Sequence, residues 1–506
     1  VVTSVASFTK YYNNGLALSY NDARSHLDIG RRVVEGLKPG LAQLGSVWLP
    51  LPHILMIPTI GIDFFWHTGL AGALQSMISL AATVVLVYKI LEILGVGMLG
   101  RITGVGVLLG NVNILYLQST AMTELLLIAL MTATVYYLLK WMKDQLAIDL
   151  IKVSFYVMLS TLVRYDGWFL FMICIGLVTA VTLVKHGYKT TEGIVILFGT
   201  LGAVGIAGWF LWNLLIFKDP FYFAFGPYSA RAQQTQMEAA GELLTKGNMW
   251  LSLKTYTYAL FYNSYTYIAI LGMIGMVVSL FDKKIRPMVK LGSLALLTPF
   301  IFNVIALFFG HSVLFIPGVI GGGWFNVRYG VLMAPSIAIW VGYLLDRARG
   351  VRWVLLLTIF MVTFFAFNSQ DAVTIDDATV GSSQKNVSEV SGWLKINAKN
   401  EKGFVLISAA SHDAIIFSSG LPMKKFIHEG TGDYWKRATE TPRLWARWII
   451  MRTHDNNDQT WKLVSNTPNF LDYYDKVQSF PFADIYQLKT EWITDLNTEA
   501  SLGKQK

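Results

Sequence analysis

The chain has 506 residues, of which 54% are hydrophobic and only 14% charged. A soluble globular domain carries about 25% charged residues, so composition excludes a wholly water-soluble protein. Lysine and arginine outnumber aspartate and glutamate by 41 to 32, a formal charge of +9. The positions of those cations, described next, account for the excess without a nucleic-acid partner.

Residues 1–8 read as the outer end of a membrane helix whose remainder lies upstream, since 1–11 is too short to span. No cleavable signal peptide is visible. A polar first outer loop follows at 13–62. Apolar blocks then run over 65–93, 102–117, 125–139, 151–162, 168–184, 194–217, 256–280, 289–309, 329–345 and 351–367. Blocks of this kind cross a bilayer at about 17 to 25 residues. The reading is an α-helical polytopic membrane protein of about 11 spans, the first largely missing. Its membrane domain covers 1–368, with a long outer loop at 218–255.

Alternate short loops are basic. They hold Lys140, Lys143 and Lys152; Lys185 and Lys189; Lys283, Lys284, Arg286 and Lys290; and Arg347, Arg349 and Arg352. The positive-inside rule places these loops in the cytoplasm. The first loop and the tail are then extracytoplasmic. Cys174 is the one cysteine and lies in an apolar block, so it forms no internal disulfide.

The tail, 369–506, has the composition of a soluble α/β domain. Its pattern predicts helices over 387–398 and 412–417 and strands over 404–408, 424–428 and 482–489. The aromatic-rich stretch 441–452 reads as helical. Asn386, Val387 and Ser388 match a glycosylation acceptor.

Polar residues gather on the outer side. The first loop carries Asp22, His26 and Asp28, then His53 after a Trp48-Leu-Pro-Leu-Pro segment. Glu124 ends a polar stretch from Gln118. Arg164 and Asp166 separate two blocks, Arg231 lies in the long loop, and Arg328 and Tyr329 precede a late block. Each has a plain alternative: Asp22 as a helix cap, the others as surface residues, helix-end anchors or Arg–carboxylate staples. Carboxylates can act as bases or metal ligands, and arginines fit phosphate oxygens in pairs. Carboxylates and arginines at a lipid–water boundary suit a phosphorylated lipid. Walker, G-x-S-x-G, paired-Cys and H-E-x-x-H motifs are absent. Gly321, Gly322 and Gly323 read as a flexible turn.

At these residues the chain resembles the GT-C superfamily of membrane glycosyltransferases, which includes protein O-mannosyltransferases and aminoarabinose transferases. The resemblance is an ordered set of short motifs over 20–345. Asp22 stands where the family keeps an acid after its first span, and the Pro50 and Pro52 segment leads into the second. Gln118 to Glu124 is similar to a small-residue stretch ending in Thr-Glu. Arg164-Tyr-Asp-Gly is similar to an Arg-Pro-Glu-Gly turn, and Arg328-Tyr329 to an Arg-Tyr before a late span. Two departures stand out: Ala23 replaces the second acid of an Asp-Glu pair, and Trp48 replaces a basic residue.

The resemblance implies a polyprenyl-phosphate sugar donor and inversion at the anomeric carbon. It casts Asp22 as base, and Arg164, Arg231, Arg328 and Tyr329 as donor-phosphate contacts. His26, His53, Glu124 and Asp166 become acceptor or auxiliary groups. Some relatives use a divalent metal and others do not, so the cofactor stays unknown. The acceptor is a protein, lipid or polysaccharide hydroxyl, and the protein itself is expected in a prokaryotic cell membrane. A transporter or lipid flippase, or a structural subunit of a membrane complex, are the rival readings.

Overall fold

The computed structural model describes residues 1–226, 229–380, 384–455 and 458–498, and of residues 384–386, 410, 411 and 413 the backbone alone. Asn386 of the glycosylation motif therefore lies outside the described side chains. The chain divides into two compact units. Unit 1 comprises Val1–Ala17, Ser46–Pro52 and Gly72–Gly381; unit 2 comprises Leu18–Gly45, His53–Ala71 and Ser382–Lys506.

Unit 1 is mostly helical. Six helical segments among the described residues are long and apolar enough to cross a membrane: Leu70–Ile93, Glu124–Asp144, Asp166–Phe217, Pro287–Phe308, Val327–Arg347 and Arg352–Val380, the last broken at Gln370 into Arg352–Ser369 and Val373–Val380. At 1.5 Å per residue, a helix of about 20 residues covers the ~30 Å hydrocarbon core. The 52-residue stretch Asp166–Phe217 joins two expected blocks across Gly187, whose φ of 74° breaks the helix. Glycine adopts that angle without a Cβ clash. The block expected over 256–280 is not one straight span. It is two helices, Met249–Ser264 and Thr266–Phe281, bent by 110° at Tyr265, which takes a φ of 60°. Counted as one, this pair makes a seventh candidate span. Apolar periodicity does not register a single left-handed residue, so the bend is silent in the sequence.

The four basic loops meet at one end of unit 1. His186 bonds Gln145 at 3.3 Å, Arg286 donates to the Lys143 carbonyl at 3.3 Å, and Arg347 donates to Asp282 at 2.8 Å. Glu124 and Lys143 lie in the first and last turns of one 21-residue helix, about 30 Å apart along its axis. Arg328 and Arg347 likewise sit near opposite ends of one span.

The glycine run expected as a turn is a strand. β1 (Phe315–Ile316) pairs antiparallel with β2 (Ile320–Phe325). Gly321 takes a φ of 73°, and a Cβ there would meet the Phe315 ring.

Unit 2 carries a five-stranded sheet ordered β4-β3-β5-β7-β6. Its strands are β3 (Phe404–Ile407), β4 (Phe426–Ile427), β5 (Ala446–Met451), β6 (Tyr474–Ser479) and β7 (Asp484–Leu488). β3 runs parallel to β4 and β5, while β7 is antiparallel to β5 and β6. The stretch expected to be helical over 441–452 supplies β5 instead. Trp448, Ile449, Ile450 and Met451 are all buried, as in a central strand covered on both faces, where alternation disappears and apolar residues run on. The helices Gln384–Asn397 and Ala409–Ser419 match expectation to within a few residues.

Candidate functional site

In unit 1 the residues singled out by motif converge. Glu124 opens the helix Glu124–Asp144 and is fully buried. Its Oε1 accepts from Arg164 Nη1 at 3.3 Å and from Arg328 Nε at 3.1 Å. Arg164 Nε also donates to Asp166 Oδ2 at 3.3 Å. Glu124 and Asp166 each stand in the first turn of a helix, where the helix dipole favours negative charge. Burial opposes the charge on Arg164, but Asp166, Tyr329 and Glu124 outweigh it and raise its pKa.

Tyr329 lies against both guanidiniums. Its ring centroid is 4.7 Å from Arg164 Cζ and 5.2 Å from Arg328 Cζ. Its carbonyl is fixed by the Tyr256 hydroxyl at 3.0 Å. One further acid joins the cluster. Asp377 Oδ2 lies 3.7 Å from Arg328 Nη1. It sits on the helix Val373–Val380 and belongs to no motif.

Among the described contacts, Arg164 and Arg328 meet the carboxylates of Glu124, Asp166 and Asp377. Glu124 Oε2 and Asp166 Oδ1 are buried and take no hydrogen bond among the described residues. Such a site holds paired cations between acids and the Tyr329 ring. Planar guanidiniums held this way suit the oxygens of a phosphate. Glu124 and Asp166, expected as acceptor or auxiliary groups, both bond Arg164, and Glu124 also bonds Arg328.

Arg231 stands apart. It is exposed near the start of the helix Ala230–Ala239, its guanidinium over Phe225 at 5.1 Å. No ion pair or hydrogen bond joins it to the cluster among the described residues.

In unit 2, Asp22 is the second residue of the helix Asn21–Val34 and is half-buried. The N-cap is Tyr20, with no side-chain cap bond, so Asp22 lies inside the first turn and is not the cap. His26, four residues on, shares its face. His26 is buried, and its Nδ1 lies 2.9 Å from His53 Nε2. Asp28, also expected as a surface residue, is buried and accepts from Trp66 Nε1 at 3.1 Å. Arg31 binds Asp63 at 2.6 Å and the Ile60 carbonyl at 2.8 Å, with its guanidinium 4.6 Å from the Trp66 ring centre. These contacts hold the helix Asn21–Val34 against the segment that carries His53 and Trp66.

Among the described residues no group of three His, Cys, Asp or Glu is placed to hold a metal ion.

No protein-family model matches the chain, and no curated protein matches it. Solved structures do. Ligand-free ArnT from Cupriavidus metallidurans, an aminoarabinose transferase, aligns with a TM-score of 0.59 at 12% identity, over 96% of this chain and 98% of that one. The same protein bound to undecaprenyl phosphate gives 0.58 at 12% identity, with the same coverage. An oligosaccharyltransferase from Archaeoglobus fulgidus gives 0.49 at 10% identity, over 88% of this chain and 67% of that one. The chain therefore has the fold of the GT-C membrane glycosyltransferases, a multi-pass membrane architecture. Within that fold its likeness to ArnT runs over almost the whole of both chains.

Proposed function

We propose that this protein is a membrane glycosyltransferase. It moves a sugar from a polyprenyl-phosphate carrier to an acceptor hydroxyl on the outer face of the membrane. The observation that carries the reading is the pair Arg164 and Arg328, held by Glu124 against Tyr329. The likeness to a protein solved with undecaprenyl phosphate supports it.

In this reading the acceptor hydroxyl gives its proton to the Asp22 carboxylate. The freed oxygen attacks the anomeric carbon from the side opposite the phosphate. The carbon–oxygen bond to phosphate breaks, its electron pair stays on the polyprenyl phosphate, and the configuration inverts. The leaving phosphate gains a negative charge as it departs. Arg164 and Arg328 stabilise that charge, so no strong general acid is needed. The acceptor is a protein, lipid or polysaccharide hydroxyl.

The sidedness follows the positive-inside rule, with the joined basic loops in the cytoplasm. Lys185→Cys and Lys284→Cys should resist an impermeant thiol reagent in intact cells, while Gly432→Cys should react. The opposite labelling pattern would invert the orientation.

The activity itself is tested with purified protein and a labelled sugar on polyprenyl phosphate. Asp22→Asn should lose about 10²- to 10⁴-fold in rate, the usual contribution of a general base. Donor binding and folding should persist. Full transfer by the Asn variant would remove Asp22 as base. Absence of transfer by the wild type from any such donor, to any of the three acceptor classes, would end the reading.

A further inference from the structure

Arg328 is held by two carboxylates from distant parts of unit 1. Glu124 takes Nε at 3.1 Å, and Asp377 lies 3.7 Å from Nη1. Both acids are buried. Glu124 comes from a membrane-spanning helix. Asp377 comes from the eight-residue helix Val373–Val380, which follows the last long apolar helix after a left-handed residue at Gln370.

Asn113 ties down the first turn of that short helix. Asn113 Oδ1 accepts from the Thr374 backbone N–H at 3.0 Å and from the Thr374 hydroxyl at 2.9 Å. Asn113 itself donates to the Asn263 carbonyl at 3.3 Å. Asp377 lies three residues beyond Thr374, on the same side of the helix. The anchor therefore sets the carboxylate at Arg328.

When ionised, Glu124, Asp166 and Asp377 each set a negative charge beside Arg164 or Arg328. A phosphate brings at least one more. A carboxylate and a phosphate present the same chemistry to a guanidinium, anionic oxygens accepting N–H bonds. They cannot share one edge of it.

We propose that Asp377 occupies, on Arg328, the place that the donor phosphate takes, so that Asp377 must leave for the donor to load. The helix Val373–Val380 is then a latch on the donor site, and Asp377 sets its affinity for phosphate. This rests on the donor reading above.

The test is binding of undecaprenyl phosphate to the full chain in nanodiscs. Asp377→Asn keeps the shape and removes the competing charge, so it should bind at least about tenfold tighter, a gain of about 1.4 kcal/mol. Thr374→Val keeps Asp377 but removes the hydroxyl bond to Asn113, and should tighten binding in the same direction by less. Arg328→Ala should weaken binding and erase the gain from Asp377→Asn in the double variant. If the wild type binds undecaprenyl phosphate and both latch variants bind equally well or worse, the latch is wrong and the donor site stands. If neither wild type nor Asp377→Asn binds it, the donor reading falls and the latch with it. Misfolding of Asp377→Asn, seen as a lost cooperative melt, leaves Thr374→Val to decide.

Discussion

Arg328 donates from Nε to the Oε1 of Glu124 at 3.1 Å across 204 residues of sequence. The same oxygen takes Arg164, so one buried carboxylate aligns two cations. Removing it would leave two guanidiniums with a shared ring but without their common acceptor.

The arginines should therefore differ in weight. Arg328→Lys keeps the charge but loses the planar fork, and should weaken undecaprenyl phosphate binding about tenfold. Arg164→Lys should act alike. Arg231→Ala, at an exposed position, should change binding by less than about threefold. Titration in nanodiscs measures all three, and an Arg231 effect as large as that of Arg328 would refute the grouping.

Gly330 lies two residues past Arg328, and a Cβ there would run into the carbonyl oxygen and carbon of Ala259. Both obstacles are backbone, so one segment must shift. Gly330→Ala should cost about 1–3 kcal/mol of stability, as overpacking does. It should also lower donor binding, because the displaced segment carries Arg328 and Tyr329. A thermal melt together with the binding titration checks this; unchanged values in both would show that the contact relaxes freely.

Acid should loosen unit 2 around His428. Burial, aided by Arg32, pushes the His428 pKa down to about 3, and its Nδ1 accepts from the Gly430 N–H at 3.1 Å. An unfolded histidine titrates near 6.5. The unfolded state thus binds the proton first, and the stability present above pH 6.5 is lost as pH falls toward 3. His67 has the same sign, lowered by burial and by Arg31 and Lys395 against Asp63 and Glu35. Between pH 7 and pH 5 the His428 contribution should fall by about 2 kcal/mol. Hydrogen exchange of peptides spanning 426–434 should rise over that interval, and rise less in His428→Gln. Protection that does not vary with pH would contradict the assignment.

Some of the site was legible from motif order. Glu124, Arg164, Asp166, Arg328 and Tyr329 were each visible as polar residues flanking apolar blocks, and the structure joins them. Arg231 carried the same signal without joining them, since an arginine in a loop reports nothing about what the loop packs against. Asp377 gave no signal. It lies past the last long apolar block, in sequence of soluble composition, and only its contact with Arg328 marks it. His26 and Asp28 looked like surface residues because the helix Asn21–Val34 is polar in composition. Their burial comes from His53 and Trp66, which arrive from another segment.

Sequence by itself determined what depends on local composition. Apolar length fixes which segments suit a bilayer, lysine and arginine counts distinguish alternate loops, and polar residues between blocks mark the ends of spans. Those properties are sums over neighbouring residues. The tertiary structure decided which ends meet. It turned 441–452 into the central strand β5, where neighbours on both sides outweigh local pattern, and bent the chain at Tyr265. It also set three acids around two arginines drawn from residues 124 to 377. Pairing across such distances is set by how helices pack, and an ion pair exists only once packing has removed the water between its charges.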